Sequence, residues 1–109
     1  MTPRPVTSFL SLTPLEPVLV FATAEDAEKF RKGCVAARRN SHEHPEWVYV
    51  PLPNGLLRVY TARLGDVGYD FRHAEEAKAF NAVIGEVGTI HDAMDKKHLH
   101  RVYLGNHKK

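Results

Sequence analysis

Leu19-Val20-Phe21-Ala22-Thr23-Ala24-Glu25-Asp26-Ala27-Glu28-Lys29-Phe30 is echoed, at a shift of 50, by Tyr69-Asp70-Phe71-Arg72-His73-Ala74-Glu75-Glu76-Ala77-Lys78-Ala79-Phe80. Phe21, Ala24, Glu25, Ala27 and Phe30 fall on Phe71, Ala74, Glu75, Ala77 and Phe80. Each copy reads as a short apolar strand running into an amphipathic helix. Ala27, Phe30, Cys34 and Ala37 step by 3, 4 and 3 residues, which keeps them on one helical face. Ala77, Phe80, Ile84 and Val87 step in the same way. Thr23 suits an N-cap, and the carboxylates of both first turns suit the positive end of the helix dipole. His73 is a poor cap. Internal duplication and chance similarity of two amphipathic helices both account for the echo.

Outward from these segments, Glu46–Leu52, Leu56–Leu64, Val67–Phe71 and His100–Leu104 read as strands. Pro53-Asn54-Gly55 is turn chemistry, so the two strands flanking it are expected to pair as an antiparallel hairpin. A short helical turn is expected over His91–Lys97. Gly33 suggests close packing of the first helix, which is expected to run to about Arg39. The order β-α-β-β-β-α-β predicts an α+β, ferredoxin-like sandwich, with two helices on one face of a four- to five-stranded antiparallel sheet. Residues 1–17 form a Pro-rich N-terminal arm, either an edge strand or a tail, 18–105 the α+β domain and 106–109 a basic tail.

At 109 residues the chain can build one core without disulfides, and its net charge of +2 does not by itself mark a nucleic-acid binder. The lone Cys34 excludes an internal disulfide and a multi-cysteine zinc site, and suggests a reducing, cytoplasmic setting. No apolar run approaches the ~20 residues of a membrane span, and the first residues lack the shape of a signal peptide. Cys34 lies on the apolar stripe, where a thiol packs as a small hydrophobe. No nucleophile elbow, phosphate loop or dinucleotide fingerprint occurs. Neither catalysis nor a cofactor is expected.

Three surfaces remain. Alternation along the strands places Trp47, Tyr49, Arg58, Tyr60, Arg101 and Tyr103 on the face the helices leave open, opposite Val48, Val50, Leu52, Leu57, Val59, Val102 and Leu104. Aromatic and arginine side chains in this arrangement suit a protein interface, self-association included. They also suit stacking of unpaired bases. Arg38, Arg39, Lys96 and Lys97 could add a basic rim that steers an acidic partner. The histidines His42, His44, His98 and His100 are weak candidates for a metal site, since no helical His-Glu-x-x-His pattern accompanies them. A protein-binding module acting through the open sheet face or a sheet edge is the leading expectation, ahead of a single-stranded nucleic-acid binder and a histidine-dependent metal protein.

Overall fold

The computed structural model describes residues 3–12, 15–33, 39–61, 65–92 and 99–105, without the side chains of 39, 91 and 92. Strands β1 (Thr7–Leu10), β2 (Pro17–Val20), β3 (Arg39–Asn40) and β4 (Trp47–Tyr49), with helix α1 (Ala24–Gly33), make up the first half. Strands β5 (Leu56–Thr61), β6 (Val67–Phe71), β7 (Thr89–Asp92) and β8 (His100–Leu104), with helix α2 (Ala74–Val83), make up the second. Each half closes its own antiparallel sheet, in the orders β1-β2-β4-β3 and β5-β6-β8-β7. The two orders are the same once each strand is matched to its counterpart.

The α+β class therefore holds, but the single ferredoxin-like sheet does not. There are two sheets, and the pairing across Pro53-Asn54-Gly55 is absent. β4 pairs with β2 and β3, whereas β5 pairs with β6. The physical reason lies in the linker. Val50 N–H still donates to Pro17 O (3.0 Å), but Pro51 and Pro53 offer no donors to a continuing ladder. The chain leaves the first sheet there and crosses to the second. Leu52 and Leu57, expected on a buried face, are 54% and 43% exposed.

The echo extends well beyond the matched letters. The residue ranges of β2 and β6, and of α1 and α2, correspond at a shift of 50, as do the starts of β3 and β7. Val18 pairs with Tyr49 and Gly68 pairs with Tyr103, so the shift becomes 54 at the last strand. The second half holds four more residues in the connection before it. Across both halves runs one core, with Phe30 on Phe21 (ring centroids 5.0 Å) and Phe80 on Tyr69 (4.7 Å) and Phe71 (5.8 Å). Burying such a ring contributes about 1.5–3 kcal/mol, which is what holds two ten-residue helices that would be marginal alone.

Helix ends follow local chemistry. Thr23 Oγ1 accepts the Asp26 N–H (3.0 Å), as expected of an N-cap, while His73 makes no side-chain cap. Among the described residues α1 runs to Gly33, around which a Cβ would meet nothing within 4 Å, so close packing does not account for this glycine. Cys34 and Ala37 lie outside the described residues. Gly85, at φ +83°, turns the chain out of α2, and the Asn81 carboxamide accepts the Gly88 N–H (2.8 Å). Thr89–Asp92 is then a strand, where a helical turn was expected from His91 onward. Thr7–Leu10, inside the Pro-rich stretch, is the outer strand of the first sheet. Its Ser8 hydroxyl donates to Leu104 O (2.7 Å) and accepts the Val67 N–H (2.8 Å), tying the first half to the second.

Candidate functional site

In an antiparallel sheet, residues directly opposite each other share a face. On the second sheet this builds two adjacent rows across three strands. One row is Arg58 (β5), Asp70 (β6) and Arg101 (β8); the next is Tyr60, Gly68 and Tyr103. Both lie on the side away from the core residues Tyr69 and Val102.

Asp70 is fully buried, and Arg101 is 5% exposed. Arg101 Nε donates to Asp70 Oδ1 (2.6 Å) and its Nη2 to Oδ2 (3.0 Å), a bidentate pair, while Arg58 Nε donates to Oδ2 from the other side (2.5 Å). Burial alone would raise the Asp70 pKa, but the hydrogen bonds from Arg101 and Arg58 outweigh it and hold the carboxyl below its ordinary value. The hydrogen bond to Asp70 likewise raises Arg101 further, against its own desolvation. The Arg101 guanidinium lies 4.0 Å over the Tyr60 ring and 5.7 Å from the Tyr103 ring, and Nη1 reaches the Tyr103 hydroxyl at 3.4 Å. Gly68 makes this possible: a Cβ there would sit 2.9 Å from Arg101 Cδ. Any side chain at residue 68 would lift the arginine off the sheet.

The counterpart rows of the first sheet are Thr7, Val20 and Trp47, then Phe9, Val18 and Tyr49. Asp70 thus stands where the first half has Val20, Arg101 where it has Trp47, and Gly68 where it has Val18. Trp47 packs edge-on against Phe9 (5.0 Å) and stacks on His44 (4.1 Å). One half carries an apolar face, the other a charged one, on the same backbone plan.

The six residues expected on one platform are therefore divided. Arg58, Tyr60, Arg101 and Tyr103 come together on the second sheet; Trp47 and Tyr49 occupy the matching place on the first. One face of Tyr60 is covered by Arg101, and Trp47 is stacked on His44, so these rings offer less free surface for bases than alternation alone implied. Asp70, which organises the cluster, was missed. Its signal was present, because a charged residue in the buried run Val67-Gly68-Tyr69-Asp70-Phe71 requires cations beside it.

His42 and His44 lie in the exposed turn before β4 and His100 starts β8; among the described residues no group of three potential ligands converges. His98, Arg38, Lys96 and Lys97 lie outside the described residues, as does the Arg39 side chain. No helix among the described residues is long and apolar enough to cross a membrane.

The sheet edges differ in how well they are guarded. β3 has two residues, β1 follows Pro3 and Pro5 and is fastened by Ser8, and β7 has four residues. β5 has six residues with no proline or lysine, carries the charge of Arg58 and a register shift between Leu56 and Arg58, and among the described residues pairs with β6. Between the 51–55 linker and α2 runs a groove of about 570 Å³, with exposed Leu52 and Val83 on its wall. Comparison with protein-family models, with curated proteins and with solved structures returns no match.

Proposed function

We propose that this protein is a small, non-catalytic binding module that takes an extended protein segment along the outer edge of β5, the strand that among the described residues pairs with β6 on its inner side. The observation that carries this reading is the edge itself. Past the register shift between Leu56 and Arg58, the regular segment Arg58–Thr61 carries no proline or lysine and is a template for strand addition. Leu57, 43% exposed on that strand, and the nearby groove with Leu52 and Val83 supply apolar pockets for alternate side chains. The buried charges support a binding role and not a catalytic one, since Asp70 is committed to Arg101 and Arg58. The lone Cys34 accords with a reducing, cytoplasmic setting.

The test is affinity capture from the native host, with and without nuclease, using the wild type and a Leu57→Lys/Thr61→Lys variant. Both positions are exposed, so the lysines guard the edge without entering the core. A partner retained after nuclease and lost with the lysine pair is the expected result. A partner bound equally by both proteins, or one released by nuclease, would refute the reading.

A further inference from the structure

The groove between the 51–55 linker and α2 holds a carboxylate oxygen that has no partner among the described residues, and we infer that it is a binding site for a small organic ammonium ion. The site does not depend on the β5 edge, whose reading draws only on the apolar wall of the groove. Pro51, Leu52, Pro53, Phe80 and Val83 supply that wall, and Glu76 is the one charged residue among the described residues that line it. At about 570 Å³ the space falls in the range that encloses small ligands, roughly 300–1,000 Å³. Glu76 Oε1 is buried without a hydrogen bond. A buried acceptor in this state is costly, and a donor brought by a ligand recovers the loss. Gly55 holds the carboxylate in place. A Cβ there would lie 2.6 Å from Glu76 Oε2 and 3.3 Å from Oε1, and its φ of +79° favours glycine as well.

The first half shows what sets this groove apart. At the shift of 50, Asp26 stands where α2 has Glu76, Lys29 where it has Ala79, and Gly33 where it has Val83. The first helix thus carries a cation three residues on from its carboxylate, a spacing at which such pairs meet. In α2 alanine takes the place of that cation, and Phe80 and Val83 follow. An anionic ligand would meet the Glu76 charge beside two prolines that lack N–H donors. An ammonium N–H on Oε1 makes a charge-assisted hydrogen bond, while its apolar body covers the exposed Leu52 and Val83.

Amide nitrogen–proton correlation spectra of the full chain, titrated with phenethylammonium chloride, test the assignment. Phenethyl alcohol and hydrocinnamate serve as neutral and anionic counterparts of similar size. The amine is expected to give saturable shifts at the amides of Gly55, Glu76, Ala79 and Val83, with a dissociation constant on the order of 1 mM. The alcohol should bind about tenfold more weakly or worse, and hydrocinnamate should not bind. Glu76→Gln, close in shape, should weaken the amine by about tenfold or more. Ala79→Lys should do the same by supplying the cation found at the matching place in the first half; Ala79 is exposed, so the lysine enters no core. Both variants should keep the wild-type spectrum away from the groove. No saturable shift by about 10 mM amine, equal binding of the alcohol, or amine binding unchanged in either variant overturns the inference. An acetylated lysine peptide that shifts the same amides at lower concentration than the amine would assign the groove to a protein side chain and overturn the small-ligand assignment. Loss of a captured partner with the Leu57→Lys/Thr61→Lys pair bears on the edge reading alone, so the two readings fail separately.

Discussion

Asp70→Val removes the anion from between two arginines and leaves Arg101, 5% exposed, without its carboxylate. Stripping one partner from a buried ion pair costs about 3–5 kcal/mol, because the remaining charge stays buried and unpaired. Arg101→Met should cost about 3 kcal/mol for the same reason, with Arg58 retaining part of the Asp70 charge. The double substitution Asp70→Val/Arg101→Met should return to within about 1 kcal/mol of wild type, since replacing a whole buried pair by apolar groups is often neutral. The first half is the internal precedent, as it carries Val20 and Trp47 at the matching pair. The coupling between the two positions, the sum of the single costs less that of the double, should thus exceed about 5 kcal/mol, above the ~0.5–3 kcal/mol usual for residues in contact, because each single variant strands a buried charge. Urea unfolding followed by far-ultraviolet circular dichroism and Trp47 fluorescence would measure the cycle. In thermal melts each single variant should lose roughly 12–20 °C, at about 4 °C per kcal/mol. A single Asp70→Val cost below about 1 kcal/mol, or a double variant as damaged as the sum of the singles, would refute the argument.

The same pair governs acid stability. The Asp70 pKa is lower when folded than when unfolded, so its contribution is complete above the unfolded value of about 4 and is lost as pH falls below it; urea midpoints between pH 6 and pH 3 should fall less steeply in Asp70→Val/Arg101→Met. Thr23→Ala deletes the α1 cap and should cost about 1 kcal/mol, whereas His73→Thr should add about 0.5–1 kcal/mol by supplying the missing cap of α2, both read from urea midpoints. Gly88→Ala should cost about 1–3 kcal/mol, since a Cβ would sit 2.6 Å from Val102 Cγ1, while Gly33→Ala meets nothing and should be neutral or stabilising by up to ~1 kcal/mol in thermal melts. Ser8→Ala strands the Val67 N–H and Leu104 O and should cost about 2–4 kcal/mol, with faster hydrogen exchange at Val67.

What could be read from residues alone was the local grammar. Val67–Phe71 and His100–Leu104 are strands within the expected bounds, and the apolar stripes placed Phe30 and Phe80 in the core. Strand partners were a different matter. Pro53-Asn54-Gly55 has the composition of a hairpin turn, but turn chemistry bends the chain without stating whether the flanking strands share a ladder. The correct pairing needs β1 and β7, and both were obscured. β1 is four residues within a Pro-rich stretch, and β7 follows Gly85 and Gly88, which read as helix breakers. The change of shift from 50 to 54 further hid the match of β4 to β8. In the site, side-chain alternation correctly grouped Arg58, Tyr60, Arg101 and Tyr103, because alternation holds within any strand. It wrongly added Trp47 and Tyr49, because membership of one face also requires membership of one sheet.

The link between Ser8 and Leu104 spans 96 residues, yet among the described residues every strand pairs inside its own half. Folding can therefore proceed without a search for distant strand partners. Each sheet closes from nearby segments, and short-range closure is the kinetically favoured kind. On that ground the union of the halves, through the Ser8 bridge and the shared core, is predicted to follow the sheets, so that Ser8→Ala speeds unfolding in stopped-flow experiments and leaves the folding rate little changed; a slowed folding rate would refute this order. Contacts that form after the rate-limiting barrier set how fast a protein comes apart more than how fast it assembles. The lifetime of the native state thus depends on the seam between the two copies, and its speed of formation on each copy separately.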